Sequence, residues 1–253
     1  MELVVVGSGT AAPDSERVGS GYFLRVGPSR VLLDCGPGVV HHLARFGLPW
    51  TELTHLCISH FHTDHVGDVA ALLFALKYGQ AEPRTQSLTV YGPPGTRRFF
   101  RKLAGAFGDY VRDPGFTLDI VELKPGRRIP LNDVAHISAA PTPHTDSSVA
   151  FRIDGPQSSF GYTGDTDHHV DVGAFLQTLD LLLTECSLPD ELAMNGHLTP
   201  SRVAALARVA LPRRILITHM YPQVPRAEVI DLVRKAGWEG EIQLADDGLR
   251  MEI

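Results

Sequence analysis

Two kinds of hydrophobic pattern alternate along the chain. Short apolar runs predict strands, and they lie at 3–9, 21–26, 30–36, 53–59, 87–92, 116–123, 135–142, 149–154, 158–166, 179–186 and 214–220. Apolar residues at helical spacing predict helices at 39–48, 65–78, 96–107, 199–211 and 226–236. Several of the strands are apolar on both faces, as in sheets that helices cover. The interleaved elements therefore predict an α/β fold, with no element predicted for the closing segment 241–253.

No feature of the sequence divides the chain into parts. The 253 residues contain no long polar linker, repeat period or low-complexity tract, so we expect a single domain over residues 1–253. No apolar run approaches the roughly 18 residues of a membrane-spanning helix. The first residues, MELVVVGSGTAAP, lack the basic start of a secretory signal. We therefore expect neither a membrane partner nor secretion.

Composition narrows the compartment and the partners. The three cysteines, Cys35, Cys57 and Cys186, are odd in number and widely spaced, which is typical of free thiols in a reducing compartment and predicts a cytoplasmic protein. The net charge is -6, whereas proteins that bind duplex nucleic acid usually carry a basic excess, so stable duplex binding is not expected. The unusual number is that of the histidines, 12 in all.

The most specific chemical signal is the segment HFHTDH, residues 60–65, which follows a predicted strand and precedes a predicted helix. Side chains at the carboxyl ends of strands in α/β proteins point into a common crevice. In an extended segment, His60 and His62 project to the same side, while Asp64 and His65 lie at the turn into the helix. Imidazole and carboxylate ligands suit zinc, and also manganese or iron. A polar loop with chance histidines is the alternative interpretation.

Three further polar residues end apolar runs. His144 follows AHISAAPTP, Asp165 follows SSFGYTG, and His219 follows RILIT. Each one alone would more often be a surface or capping residue. Together with the HFHTDH segment they supply seven candidate ligands, which is enough for two metal ions with one carboxylate between them.

In these residues the chain resembles the metallo-β-lactamase superfamily. The segment HFHTDH matches the HxHxDH motif of that superfamily, and its later metal positions correspond to His144, Asp165 in YTGDT and His219 in ITHM. The resemblance implies a four-layer αββα sandwich of mixed sheets covered by helices, with two divalent metal ions, preferably Zn²⁺ and alternatively Mn²⁺ or Fe, along one edge. It implies one metal on His60, His62 and His144. A second metal would then lie on Asp64, His65 and His219, and Asp165 would bridge the two.

The segments GSGTAAP (7–13) and LLDCGPG (32–38) resemble the RNase Z and cyclic-phosphodiesterase branch of that superfamily. In that branch a histidine before a helix assists phosphodiester cleavage and a glutamate orients it, which here implies His197 in GHLTPS and Glu185 in LTEC. A helix-start histidine and a surface carboxylate without a role are the alternatives. No long substrate-gripping arm is visible, so the layout is more similar to the small cyclic-phosphodiesterase members.

These residues predict a dinuclear phosphodiesterase in which a metal-bridging hydroxide attacks phosphorus. Asp64 would hold the proton of the nucleophile, and His197, oriented by Glu185, would act on the leaving alkoxide. The expected substrate is a nucleotide-like, cyclic phosphate or RNA-end phosphodiester, and the resembled branch implies a homodimer as the candidate assembly. Hydrolysis of carboxyl esters, lactones, thioesters or sulfate esters is the second interpretation. A non-catalytic scaffold that retains the fold is the third.

Weaker features remain open at the sequence level. The basic residues of the predicted helix 96–107 either contact phosphate or form a solvated face, and the second interpretation is the more common one; they are Arg97, Arg98, Arg101 and Lys102. His168, His169 and Tyr221 lie close in sequence to the candidate ligands, and no role is predicted for them.

Overall fold

The computed structural model describes all 253 residues, which form fourteen strands and seven α-helices. The strands are β1 (Glu2–Gly7), β2 (Gly21–Val26), β3 (Ser29–Leu33), β4 (His55–Cys57), β5 (Leu88–Gly92), β6 (Leu118–Glu122), β7 (Ile129–Asn132), β8 (Ala135–Pro141), β9 (Val149–Asp154), β10 (Ser159–Tyr162), β11 (Leu181–Glu185), β12 (Arg214–Thr218), β13 (Glu241–Leu244) and β14 (Arg250–Glu252). The helices are α1 (Val39–Arg45), α2 (Thr63–Val66), α3 (Val69–Tyr78), α4 (Thr96–Phe107), α5 (Val170–Phe175), α6 (Pro200–Ala210) and α7 (Val229–Lys235).

The strands build two seven-stranded mixed sheets. The first has the order β14-β1-β2-β3-β4-β5-β6 and the second β13-β12-β11-β10-β9-β8-β7. Strands β3 to β6 pair in parallel in the first sheet, as do β10 to β13 in the second. The chain termini meet in the first sheet, where β14 pairs with β1. No helix combines the length and the apolar character needed to span a bilayer.

Three hydrophobic cores separate four layers. One core lies between the inner faces of the two sheets and includes Tyr22, Phe151 and Phe160. A second joins the outer face of the first sheet to α1, α3 and α4. The third joins the second sheet to α5, α6 and α7. The architecture is therefore the expected α/β sandwich, with the layers in the order αββα.

The structure differs from the sequence prediction in three places. The predicted helix 65–78 is interrupted between α2 and α3, because the Asp68 amide donates to the Cys35 carbonyl oxygen (2.9 Å) instead of continuing the helix. Strand β7 contains Pro130 and was not predicted, nor was the short helix α5. The closing segment holds β13 and β14, which the sequence pattern did not indicate.

Several predicted strands are also shorter than their apolar runs. The run 53–59 forms a ladder only over His55–Cys57, and the run 158–166 only over Ser159–Tyr162. In both cases the residues beyond the carboxyl end leave the sheet and continue as a loop. Because β4, β10, β11 and β12 end on the same edge of the sandwich, these loops meet there.

Candidate metal centre and neighbouring acid pair

The seven candidate ligands meet at the shared edge of the two sheets. The loop after β4 and helix α2 carry His60, His62, Asp64 and His65. Loops after β8, β10 and β12 carry the others, which are His144, Asp165 and His219. The first sheet thus supplies four of the ligands and the second sheet supplies three.

The ligands form two groups of converging donor atoms. In the first group, the distance from His144 Nε2 to His62 Nδ1 is 3.1 Å, and His60 belongs to the same group. In the second group, His219 Nε2 lies 3.3 Å from His65 Nε2 and 3.2 Å from an Asp64 carboxylate oxygen. His60, His65 and His219 are buried, whereas Asp64 is only partly buried.

Asp165 lies between the two groups and turns one carboxylate oxygen to each. Its Oδ2 is 3.8 Å from His60 Nε2 and 3.7 Å from His144 Nε2. Its Oδ1 is 3.3 Å from His65 Nε2 and 3.8 Å from His219 Nε2. This is the position that a carboxylate bridging two cations would occupy.

The donor set fits divalent metal ions. Two buried polar atoms at its centre, His60 Nε2 and Asp165 Oδ1, have no hydrogen-bond partner, and buried polar groups are otherwise almost always paired. A tetrahedral ion with ligand bonds of about 2.0–2.1 Å keeps its ligand atoms about 3.3–3.4 Å apart. The observed separations of 3.1–3.8 Å bracket that value.

The remaining ring nitrogens show how the imidazoles are oriented. His144 Nδ1 donates to the Gly196 carbonyl oxygen (2.8 Å), and His65 Nδ1 donates to Asp34 (2.8 Å). His60 Nδ1 donates to the Ser59 hydroxyl oxygen (3.1 Å), since that hydroxyl itself donates to Asp34. With Nδ1 protonated, each of these rings directs the lone pair of Nε2 into the centre.

His219 is oriented in the same way by a serine. Its Nδ1 lies 3.0 Å from the Ser187 hydroxyl, which donates back to the His219 carbonyl oxygen at 3.0 Å. His219 has a φ of 52°, so the chain turns sharply where β12 ends. The ring is thereby held over the shared edge of the sheets.

Asp34 is a supporting residue that the sequence analysis did not single out. It is fully buried at the end of β3, and its carboxylate accepts bonds from His65 Nδ1, the Tyr162 hydroxyl and the Ser59 amide and hydroxyl. Its φ of 56° is uncommon for a residue other than glycine. The available signal was an aspartate that ends the apolar run VLL, the same signal that indicated Asp165.

Burial and neighbouring charges set the protonation states of the candidate ligands. Burial, with a smaller contribution from the neighbouring His65, lowers the pKa of His60 to about 2, so that the ring is neutral. Burial by itself raises the pKa of Asp165, but the attraction of His219 and His65 outweighs it and holds the pKa well below its ordinary value. Burial by itself lowers the pKa of His65, but the charges and hydrogen bonds of Asp165 and Asp34 outweigh it and raise that pKa well above its ordinary value. Because a metal ligand must be a neutral imidazole, a metal ion that binds here would displace a proton from His65.

His197 and Glu185 form a pair beside the candidate ligands. His197 Nδ1 lies 3.2 Å from both oxygens of the Glu185 carboxylate, which also accepts bonds from the amides of Thr166 (2.7 Å) and Leu198 (3.2 Å). The His197 ring is 4.8 Å from that of His144, centroid to centroid. Burial by itself lowers the pKa of His197, but the hydrogen bond and the charge of Glu185 outweigh this and raise it.

The loop that carries His197 is anchored from α6. Arg202 donates to the His197 carbonyl oxygen (2.9 Å) and to the Met194 carbonyl oxygen (2.7 Å), and it forms an ion pair with Asp167. Asp167 in turn accepts a bond from the Gly196 amide, 3.2 Å away. These contacts hold the loop whose Gly196 carbonyl orients His144.

Of the three residues to which the sequence assigned no role, one lies near the metal centre and two lie on the surface. Tyr221 lies near the centre, with its ring 5.8 Å from that of His219. His168 and His169 are exposed, and His169 caps helix α5 by accepting a bond from the Asp171 amide.

Two open cavities adjoin the HFHTDH segment. One of about 440 Å³ borders Asp64, and one of about 540 Å³ borders Phe61 and includes Arg98 and Lys102.

Fold and site together define a class: an αββα sandwich with a histidine and carboxylate metal centre where the two sheets meet. The chain belongs to the beta-lactamase superfamily, whose domain model matches residues 29–220. The chain is 26% identical to a Ribonuclease Z of Haloferax volcanii over 310 aligned positions, which cover 100% of this chain and 95% of that protein.

Two solved structures share the fold. The metallo-beta-lactamase fold protein YhfI from Bacillus subtilis has a TM-score of 0.84 and 23% identity, and the alignment covers 99% of this chain and 98% of that one. The short form of human tRNase Z has a TM-score of 0.81 and 24% identity, with coverage of 100% and 99%.

Proposed function

We propose that this protein is a metal-dependent phosphodiesterase that cleaves a nucleotide-like phosphodiester, with an RNA end as the leading substrate. The observation that carries the proposal is the placement of His197, fixed by Glu185 at Nδ1 and lying against the ring of His144. A relative over the whole chain is a Ribonuclease Z, which supports RNA as the substrate class.

The candidate ligands would hold two divalent ions. One ion would be held by His60, His62 and His144, and the other ion would be held by Asp64, His65 and His219. Asp165 would bind both ions. When bound, two such ions polarise the phosphodiester and lower the pKa of a water molecule toward neutrality. Asp64 turns Oδ2 toward His219 and His65, and its other carboxylate oxygen would accept a proton from the attacking water.

His197 would serve the leaving group. Because its Nδ1 proton is committed to Glu185, the proton available for transfer is on Nε2. The carboxylate raises the pKa of the ring, so the protonated form is more populated in the folded protein. Protonation of a departing alkoxide by a placed histidine contributes about 10²–10⁴-fold to the rate.

A small nucleotide phosphodiester is the second candidate substrate, and a feature of the chain favours it. The alignment to the Haloferax relative has 310 positions, whereas this chain has 253 residues, so at least 57 positions have no counterpart here. The longest connection between a strand and an α-helix, residues 186–199, is folded against α6 and carries His197. This connection therefore does not form a protruding arm that could grip a large RNA.

The metal, the assembly and the compartment belong to the same proposal. A histidine-rich donor set favours Zn²⁺ over Mn²⁺ or Fe, which metal analysis of the protein purified without added metal would decide. The three cysteines are free and buried, as the cytoplasmic interpretation expects. A homodimer remains a prediction, which the mass of the protein in solution tests.

The proposal is tested by the hydrolysis of matched substrates. The metal-loaded protein should cleave bis(p-nitrophenyl) phosphate and fail to cleave a p-nitrophenyl carboxyl ester at a comparable rate. Cleavage of the carboxyl ester alone would replace the proposal with an ester or lactone hydrolase. No cleavage of either substrate with both metals bound would favour a non-catalytic scaffold. A precursor tRNA and a cyclic nucleotide, tested next, would separate the two candidate substrates.

A further inference from the structure

A cavity of about 540 Å³ lies beside the candidate metal centre, between α4 and the loop that follows β8. Its position is set by chain connectivity. Phe61, in its wall, stands between the candidate ligands His60 and His62, and Asp146 and Ser147 follow His144 by two and three residues. The cavity is therefore bordered by the two chain segments that carry the first group of ligands.

The cations of α4 fall on two different faces. Arg98 and Lys102 are four residues apart and line this cavity, whereas Arg97 and Arg101 line another one together with Phe100. Residues at this spacing share a helix face, and a shift of one residue rotates the side chain by about 100°. The sequence pattern could not separate the two pairs, because it does not show which face of the helix lies against Phe61 and the loop that follows β8.

Arg98 and Lys102 are exposed and have no partner in the folded protein. Neither side chain takes part in an ion pair with any carboxylate. The one carboxylate in the cavity wall, Asp146, is also unpaired, so the wall carries a net positive charge. In a chain with a net charge of -6, this is a local reversal of sign next to the metal centre.

Aromatic surface completes the wall. The rings of Phe61 and Phe99 are stacked, with centroids 5.1 Å apart and an interplanar angle of 15°. Both rings are half-buried. Aromatic faces next to unpaired cations are the combination by which proteins hold single-stranded nucleotides, since bases stack on the rings and phosphates meet the charges.

We propose that this cavity is a nucleotide subsite, in which the base next to the scissile phosphate packs against the Phe61–Phe99 pair and the following phosphate contacts Arg98 and Lys102. The inference rests on the proposed phosphodiesterase function and names the part of the substrate recognised away from the metals. Such a subsite would favour substrates that carry a second nucleotide over phosphodiesters that have none.

The test compares two double variants of one helix. R98A/K102A removes the charges of the cavity, and R97A/R101A removes the same charge from the other face. Binding of a short single-stranded RNA with phosphorothioate linkages, which slow hydrolysis, is measured on the metal-loaded protein by fluorescence anisotropy. We expect R98A/K102A to raise the Kd at least ten-fold. The slope of log Kd against log salt should fall by about 0.7 for each phosphate that the variant no longer neutralises.

The matched variant R97A/R101A should keep the Kd within about two-fold of the wild type. Equal weakening by both double variants would overturn the subsite, because it would show a non-specific effect of charge. A third variant, Phe61→Leu, should weaken RNA binding roughly ten-fold while retaining the metal content, and should have little effect on an RNA that lacks the base at that position.

The design separates this inference from the proposed function. If the wild type cleaves phosphodiesters and both double variants bind RNA as the wild type does, the subsite is wrong and the function stands. If the wild type cleaves no phosphodiester, yet only R98A/K102A loses RNA binding, the subsite stands and the function is wrong.

Discussion

At the scale of single residues, most of the candidate histidine ligands are oriented by a hydrogen bond from the ring nitrogen that faces away from the metal centre. Four of the imidazoles donate from Nδ1 to an oxygen of the protein, three of them to Asp34, Ser59 and Ser187. His197 follows the same rule, with Glu185 as its acceptor, although it belongs to neither metal group. A shared hydrogen-bonding rule therefore places both the ligands and the proposed acid.

The role of His197 can be separated from simple contact by changing the leaving group. If His197 protonates the departing oxygen, His197→Ala should lower kcat about 10²–10⁴-fold for a dinucleotide, whose leaving group is an alkoxide. The loss should be much smaller for bis(p-nitrophenyl) phosphate, because p-nitrophenolate leaves without a proton. An equal loss on both substrates would instead assign His197 to a phosphoryl oxygen.

Glu185 should act through His197. Glu185→Gln keeps the size of the side chain but weakens the bond that fixes Nδ1, so we expect a smaller loss of kcat than His197→Ala causes. The double variant should be no slower than His197→Ala alone, since coupled residues are not additive. Additive losses, measured in the same steady-state assay, would give Glu185 a separate function.

His55 provides a pH-dependent contribution to stability away from the centre. Burial lowers its pKa from 6.5 to about 4, and the ring is stacked on Tyr91. Because the pKa in the folded state is the lower one, this contribution is present above pH 6.5 and is lost as the pH falls from there toward 4. The wild type should lose about 2 kcal/mol more than His55→Phe between pH 7 and pH 5.

Unfolding by urea at both pH values, with a chelator present, measures this difference. The titration of the other histidines is common to both proteins and cancels. The substitution keeps an aromatic ring beside Tyr91, and Thr54 remains bonded to Arg30 after it loses the 2.7 Å bond to His55. Parallel pH dependences for the two proteins would contradict the prediction.

At the scale of elements, the centre depends on close contact between three loops. The Ser20 amide donates to the Asp64 carbonyl oxygen (2.9 Å), and the Cys35 amide donates to that of His65 (2.7 Å). A Cβ at Gly36 would overlap the Asp64 carbonyl oxygen, so only glycine permits this approach. The loop after β3 thus packs directly against helix α2 and fixes its position.

Gly36→Ala should therefore displace α2 and with it the second group of ligands. We expect loss of about one metal equivalent by elemental analysis, and a lower free energy of unfolding. Gly105→Ala in α4 is the matched control, because a Cβ there meets nothing within 4 Å. That control should keep both metals and be slightly more stable, by about 0.5–1 kcal/mol. Two retained metals in Gly36→Ala would show that the loop can adjust.

The elements also show what a pattern of apolar residues can and cannot predict. Strands β2 and β9 have the predicted bounds, because their side chains alternate or fill a core from end to end. The interruption at Asp68 was not predictable, since its cause is a bond to Cys35, thirty-three positions earlier in the chain. Strand β14 is short and partly exposed, and it forms a ladder only because β1 offers an edge.

At the scale of the whole molecule, the metal centre would join the two sheets. The first sheet contributes the HFHTDH segment, and the second contributes His144, Asp165 and His219. Each bound metal ion stabilises the folded state by about 2.7 kcal/mol when the free ion is at 100 times its Kd, so two ions contribute about 5.4 kcal/mol. For a chain of this length, we expect removal of both metals to lower the Tm by about 10–20 °C.

Differential scanning calorimetry with and without a chelator measures this change, and variants locate it. His144→Ala should lose one metal equivalent, whereas Asp165→Ala, which removes an oxygen from each group, should lose both. Retention of one full equivalent by Asp165→Ala would contradict the bridging position. A single cooperative transition would support the one domain expected over residues 1–253, which the pairing of β1 with β14 also favours.

The local sequence pattern was enough to predict the fold class and to identify the candidate ligands. Apolar periods specify strands and helices, and a strand end marks where a polar side chain leaves the core. How these residues meet became visible only in the folded molecule: Asp165 faces both groups, Asp34 orients His65, and Arg98 rather than Arg97 lines the cavity next to Phe61. Such contacts join residues far apart in the chain, and their geometry depends on the packing of two sheets, which no local pattern encodes.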